Sequence, residues 1–273
     1  MSGAASVNIS AAVDAFDRVA DSYDDLFTRS AIGQAQRKQV WRRLLEAFAP
    51  GERILELNCG TGEDARFLGM RGRSIVACDA SAEMIQVAAA RTQREAEGAD
   101  ITFRRLANED LGALPLQKPF GGAYSNFSGL NCAADLQPVA RNLAALVRPG
   151  GRVLLCLWSR VCVGEFVWYL MHGQARKAIR RFSGKATARV GELTIAVSYP
   201  KVRDVQRVFA PWFALERRSA IGLFVPPSYA EDWARKHESA LRRFEQLDRL
   251  CSEWPVFRGV GDHVLLEFTR CNH

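Results

Sequence analysis

The stretch Ile54-Leu55-Glu56-Leu57-Asn58-Cys59-Gly60-Thr61-Gly62-Glu63-Asp64-Ala65 sets two glycines and several acids at the end of an apolar run. Ile54, Leu55 and Leu57 predict a strand, Gly60 to Gly62 a tight turn, and a helix begins at about Asp64. Glycine tolerates positive φ and lets a ligand approach the backbone closely. Glu56 stands inside the strand that feeds the turn. Carboxylates here would repel a dinucleotide pyrophosphate and attract a ligand carrying an ammonium and a sulfonium. That favours S-adenosylmethionine (SAM) over NAD. A second apolar strand, Ser74 to Cys78, ends at Asp79. In a nucleotide-binding βαβ unit, an acid at that tip accepts hydrogen bonds from both ribose hydroxyls. Ser81 is the expected N-cap of the next helix. Met84 then falls where it could cover an adenine ring.

These residues carry a resemblance. The chain resembles a class I SAM-dependent methyltransferase of the small-molecule type. Its glycine turn is similar to that family's E-x-G-C-G-T-G pattern, with Asn58 in place of the first Gly, and Asn tolerates unusual φ better than most residues. Cys78-Asp79-Ala80-Ser81 with Met84 resembles the second motif, and Ala107-Asn108-Glu109-Asp110-Leu111 after the strand 101–104 the third. The family often has an Asp where Ala107 stands, contacting the adenine amino group; Asn108 or Glu109 would replace it here. Gly122 to Phe127 resembles the fourth motif, with Gly121 in place of a common Asp, and Leu146 to Trp158 the fifth. Phe16, Ala20, Tyr23 and Asp24 resemble an N-terminal element whose Tyr, with a later Arg, closes over the methionine end of SAM. The resemblance implies a cofactor wall of Tyr23, Arg37, Glu56, Asn58, Cys59, Gly60, Gly62, Asp79, Ala80, Met84, Ala107, Asn108, Glu109, Asn126 and Phe127. Tyr23 could instead be a packing residue, and Arg37 could stand on a solvated helix face.

The elements that must position these groups follow from the hydrophobic pattern. The expected architecture is α/β: a Rossmann-like seven-stranded sheet, mostly parallel with an antiparallel last strand, and helices on both faces. Strands are predicted near 53–57, 74–78, 101–104, 121–125, 152–157, 214–223 and 263–269. Residues 1–50 read as an N-terminal helical lid, 51–158 as the SAM-binding core, 159–205 as a cap insert and 206–273 as completion of the core. The insert is predicted to hold an amphipathic helix, Phe166 to Phe182, and a hairpin of 187–190 with 194–199. Ligands bind outside the carboxyl ends of such strands. The insert and the helical stretch 225–260 are therefore expected to cap the acceptor pocket.

Methyl transfer from a sulfonium needs alignment and exclusion of water, not a metal, and no ligand cluster for one is evident. A general base is required only if the acceptor carries a proton at neutral pH. His263 and His172 are the candidates, against plain readings as a core and a surface histidine. Tyr124, Trp158, Tyr169 and Arg176 are candidates to meet the acceptor, although Tyr124 and Trp158 could equally be core aromatics. The aromatic-then-basic segment 166–182 has three open readings: a lid over an anionic acceptor, a peripheral membrane contact, or a plain amphipathic cap.

The net charge of +7 suggests an anionic partner only weakly. Nucleic acid is disfavoured because Ser125-Asn126-Phe127 lacks both the Asn/Asp-Pro-Pro-Tyr/Phe element of DNA amino-methyltransferases and the Pro-Cys nucleophile of cytosine enzymes. A scaffold that binds SAM without turnover stays open. Met1 to Ala15 has no basic start and apolar run like a signal peptide, and the seven cysteines are scattered, so reduced thiols in a cytoplasmic protein are expected.

Overall fold

The computed structural model describes residues 9–115 and 118–272. Seven strands form one sheet: β1 (Arg53–Leu57), β2 (Ser74–Asp79), β3 (Ile101–Arg105), β4 (Phe120–Ser125), β5 (Val147–Trp158), β8 (Phe213–Ile221) and β9 (His263–Arg270). Between β5 and β8 in the chain, β6 (Lys185–Val190) and β7 (Leu193–Ser198) make a separate hairpin. The order in the main sheet is β3-β2-β1-β4-β5-β9-β8. β9 runs antiparallel to both β5 and β8, and the other pairings are parallel. The predicted sheet is therefore the observed one.

Strand residues alternate between two apolar layers, as the period of 2 requires. Leu55, Leu57, Ala123, Val153, Leu155, Val264 and Leu266 face α5 (Gln137–Leu146) and α8 (Val202–Phe209). Ile54, Ile75, Ala77, Tyr124, Leu154 and Leu265 face α2 (Ala31–Ala47) and α3 (Glu63–Gly69). Both faces are covered, which is why β1 reads as a nearly continuous apolar run. The first described element is α1 (Ile9–Tyr23), followed by a π-helical turn, Asp24–Thr28, before α2. α4 (Ala82–Glu95) links β2 to β3, and Ser81 caps it by accepting from the Met84 N–H at 3.0 Å.

Several boundaries differ from expectation for local reasons. The helix predicted over Phe166 to Phe182 is broken: α6 (Val163–Met171) stops before Gly173, at φ 69°, and α7 (Ala175–Ala178) is a single turn. β8 ends at Ile221, because Gly222 turns left-handed at φ 65°. β5 starts at Val147, with the Pro149-Gly150 turn absorbed by a register shift between Phe120 and Gly122. The stretch 228–252 is two helices, α9 (Glu231–Lys236) and α10 (Glu238–Cys251), which pack on α2 through Ile32, Ala35, Ala230, Ala234 and Leu241. They do not cap the cavity described next. The insert hairpin instead backs α1, with Ile195, Val197 and Tyr199 against Ala12 and Ala15. Among the described residues, no helix is long and apolar enough to cross a membrane.

Candidate active site

The turn after β1 uses three left-handed residues, Asn58 at φ 56°, Gly60 at 53° and Gly62 at 75°. Each has a separate reason. A Cβ on Gly62 would lie 2.9 Å from the Ala88 Cβ, so its absence lets α3 close on α4. Gly60 faces open space, so only its φ demands glycine. Asn58 pays its conformational cost with a hydrogen bond, accepting at Oδ1 from the Ser125 hydroxyl at 3.1 Å. The Cys59 N–H donates to the Cys78 carbonyl at 3.0 Å and ties the turn to β2.

Asp79 at the tip of β2 is held by this turn. Its Oδ2 accepts the Gly60 N–H and its Oδ1 the Ser81 N–H, each at 2.9 Å. Each oxygen keeps a further lone pair for a ligand. Burial pushes the carboxyl above its ordinary pKa, and the two N–H donors oppose that shift.

A cavity opens over these strand ends. Thirteen of the fifteen residues expected on the cofactor wall line it: Tyr23, Arg37, Asn58, Cys59, Gly60, Asp79, Ala80, Met84, Ala107, Asn108, Glu109, Asn126 and Phe127. Gly62 and Glu56 do not. Gly62 is turned toward α4, and Glu56, in register with Ile54, points to the α2 face of the sheet. Burial and the nearby Asp64 charge hold the Glu56 carboxyl well above the usual range. Tyr124 lies beside it and partly offsets the shift. Even so, neither the Tyr124 hydroxyl nor Glu56 Oε2 makes a hydrogen bond of ordinary geometry.

The wall also holds residues that were not expected from the sequence, above all Asp64, Glu63 and Thr61. Asp64 accepts from Arg37 Nη1 at 2.7 Å, Trp41 Nε1 at 2.5 Å and Asn126 Nδ2 at 2.8 Å. It joins α2, α3 and the β4 end in one buried polar cluster. The available signal was an acid pair in the first turn of a helix, where the macrodipole favours negative charge. Arg37 is buried, its guanidinium lies 4.7 Å from the Phe127 ring centre, and its Nε has no partner. Tyr23 is half-buried, and desolvation raises its phenol to about 12.

One side of the cavity is closed by α1 and the π turn. Asp17 accepts from the Ser81 hydroxyl at 2.5 Å, and Val19 and Ala20 pack on Met84. Asp24 accepts from the Thr61 hydroxyl at 2.6 Å and from Arg91 Nη1 at 2.9 Å. A π turn at a functional cavity is a common occurrence.

Residues 54–151 match the methyltransferase domain family. An S-adenosylmethionine-dependent methyltransferase structure from Mesorhizobium loti overlays with a TM-score of 0.57, at 17% identity, covering 88% of this chain and 100% of that one. This is the class I SAM-dependent methyltransferase fold. Magnesium protoporphyrin IX methyltransferase from Synechocystis PCC 6803, solved with bound SAH, has the same fold, with a TM-score of 0.52, 16% identity, and coverage of 87% and 82%. The demethylmenaquinone methyltransferase of Mycobacterium tuberculosis H37Rv is 32% identical over 147 residues, which are 53% of this chain and 57% of that relative. The chain thus matches only somewhat more than half the length of that curated relative.

The methyltransferase fold leaves the expected acceptor and base residues scattered. His172 is exposed at the end of α6, with Nδ1 2.8 Å from the Trp168 carbonyl. Arg176 is exposed, and Tyr169 lies between Lys177 and Arg180 on the insert. Tyr124 is a core aromatic against Phe48. Trp158 stacks on Tyr199, with ring centres 5.7 Å apart. None of these five lines the cavity. They stand on the outside of the insert or below the strand ends, which sequence spacing does not reveal.

His263 is buried one side chain behind the cavity wall, edge-on to Phe127 at 5.4 Å between ring centres. Its Nδ1 is 3.5 Å from Asp262 Oδ2 and makes no hydrogen bond. Desolvation lowers its pKa to about 4, against the pull of Asp262. A folded pKa below the unfolded value near 6.5 means that the unfolded chain binds more protons between the two. Stability from this group is therefore full above about pH 6.5 and is lost as pH falls toward 4. Between pH 7 and 5 the loss should be about 2 kcal/mol. Asp248, raised to about 6 by burial, acts in the opposite direction over part of this range. The difference between wild type and His263→Gln isolates the histidine. Urea unfolding of both at pH 7 and 5 should show the wild type losing more stability; parallel losses would rule out a buried neutral His263.

Proposed function

We propose that this chain is a SAM-dependent methyltransferase acting on a small organic acceptor of natural-product or lipid-like character. The observation that carries the reading is the charge of the cavity. Among the described residues, Asp79 opens into a space whose other charged walls are Glu63, Asp64 and Glu109 and whose one lining cation is Arg37; Arg37 is already paired with Asp64, and Glu63 is held from outside the cavity lining by Arg66 and Arg91. Such a wall suits an ammonium, a sulfonium and a ribose diol, and opposes a pyrophosphate or a nucleic-acid backbone. The mycobacterial relative's name, with demethylmenaquinone as its acceptor, supports a small molecule over a polymer.

The residues fit the cofactor. Arg37 brings an unpaired, buried Nε to the methionine end, and Asp79 brings two oxygens with free lone pairs to the ribose. Met84, Ala107, Asn108 and Glu109 would flank the adenine. When bound, SAM supplies an electrophilic methyl group on sulfur. Asn126, fixed by Asp64, and Phe127, supported by His263, would shape the end of the cavity where the acceptor arrives. α1 and the π turn would act as a lid that excludes water. We assign His263 to supporting Phe127 rather than to proton transfer, because its depressed pKa makes it a weak base. A cytoplasmic setting fits seven cysteines that are all free.

The test uses SAM with a labelled methyl group, incubated with the protein and with lipid and aqueous extracts of the source cells. Label in a small-molecule product of either fraction is expected. Binding of S-adenosylhomocysteine with no label in either fraction would leave a binder without turnover and overturn the transferase assignment.

A further inference from the structure

We propose that the outer face of the insert, α6 with the turns that follow it, docks on an anionic lipid surface. The face is apolar at helical spacing. Val163, Val167, Leu170 and Met171 lie at i, i+4, i+7 and i+8 on α6, and all four are exposed, Met171 by 80%. Phe182, also exposed, packs on Phe166 at 6.5 Å and extends the patch beyond the helix. A run of exposed apolar side chains on one helix face is what an interfacial helix presents, and a monomer gains nothing by exposing it.

Charge selects the occupant. From Arg160 to Arg189 the chain has one carboxylate, Glu165, and it is buried between Arg180 and Arg181 at 2.9 and 2.6 Å. Arg176 and Lys177 are exposed on the next turn, and Lys177 Nζ lies 5.7 Å from the Tyr169 ring on α6 itself. Lys185 is exposed just beyond. The apolar stripe is thus bordered by cations with no exposed acid of its own segment to neutralise them. An amphipathic helix with a basic border matches the boundary between anionic headgroups and acyl chains. Two copies of this face would bring like charges together, which disfavours a self-association surface. The inference rests on the exposed surface alone and does not depend on the cofactor reading.

The full chain would be tested by flotation with vesicles of phosphatidylcholine alone and of phosphatidylcholine mixed with phosphatidylglycerol, at low and high salt. Wild type should float with the mixed vesicles at low salt, and much less with neutral vesicles or at high salt. Arg176→Gln with Lys177→Gln should reduce partitioning on the order of thirtyfold, at about fivefold per basic residue at the surface. Leu170→Glu with Met171→Glu should also abolish flotation. Thermal melting followed by circular dichroism confirms that the variants are folded, since all four side chains are exposed. Wild type that floats with neither vesicle, binds both equally, or is unaffected by the variants would overturn the proposal. So would light scattering that finds a dimer dissolved by Leu170→Glu.

Discussion

Asp79→Ala is expected to weaken S-adenosylhomocysteine binding on the order of a hundredfold, about 3 kcal/mol. The loss has two parts. The ribose loses an ionised acceptor for its hydroxyls. The Gly60 and Ser81 N–H groups, each 2.9 Å from Asp79, lose the carboxylate that fixes the turn and the start of α4. Asp79→Asn separates the parts. It keeps one acceptor oxygen and a similar shape, so its affinity should fall between wild type and Asp79→Ala. Calorimetric titration of the three proteins gives the comparison. Equal affinities would mean that the ribose does not sit at the β2 tip.

Arg181→Met should destabilise the protein by about 3–5 kcal/mol, because it leaves buried carboxylates without their cation. Arg181 donates to Glu165 Oε2 at 2.6 Å and Asp262 Oδ1 at 2.7 Å, and to the carbonyls of Ser159 and Asp262 at 3.2 and 2.8 Å. These contacts join the insert to the end of β5 and the residue before β9. Met fills much of the volume but satisfies none of the acceptors. Glu165 would keep Arg180, and Asp262 would keep only the Gln36 amide at 3.2 Å and the His263 contact. The melting temperature should fall by roughly 10 °C. If the insert loosens first, limited proteolysis would cut within 159–184 before the core melts. Arg181→Lys should recover only part of the loss, since an ammonium cannot match the guanidinium fork. A variant within 1 kcal/mol of wild type would show that the cluster is not a tie.

The fold was legible where sequence constraints are local. Apolar runs broken by Gly60, Asp79 and Gly150 gave the parallel strands, and the left-handed Asn58 was foreseeable from its tolerance of positive φ. The lining of the cavity was legible for the same reason: most of it hangs on strand ends, whose position follows from strand order. Asp64 was harder to read. Its role depends on Arg37, Trp41 and Asn126 meeting across three elements, and no spacing in the chain encodes that. Glu56 was misleading, because an acid in a motif invites a ligand role, while the pleat turns it to the α2 face. The insert was the least legible. Its helix looked continuous until Gly173 ended it, and whether Tyr169, His172 and Arg176 faced inward depended on packing against α1 and β9. The Glu165–Arg181–Asp262 cluster, which fixes that packing, links residues far apart in sequence.

The acid-rich cavity over β1 and β2 is proposed to bind the SAM scaffold. Calorimetric titration of the wild-type chain with S-adenosylhomocysteine and, separately, with NAD tests it most directly. One-to-one binding of S-adenosylhomocysteine, with no heat from NAD, is expected. Binding of NAD with none of S-adenosylhomocysteine would contradict the cofactor assignment and the charge argument beneath it.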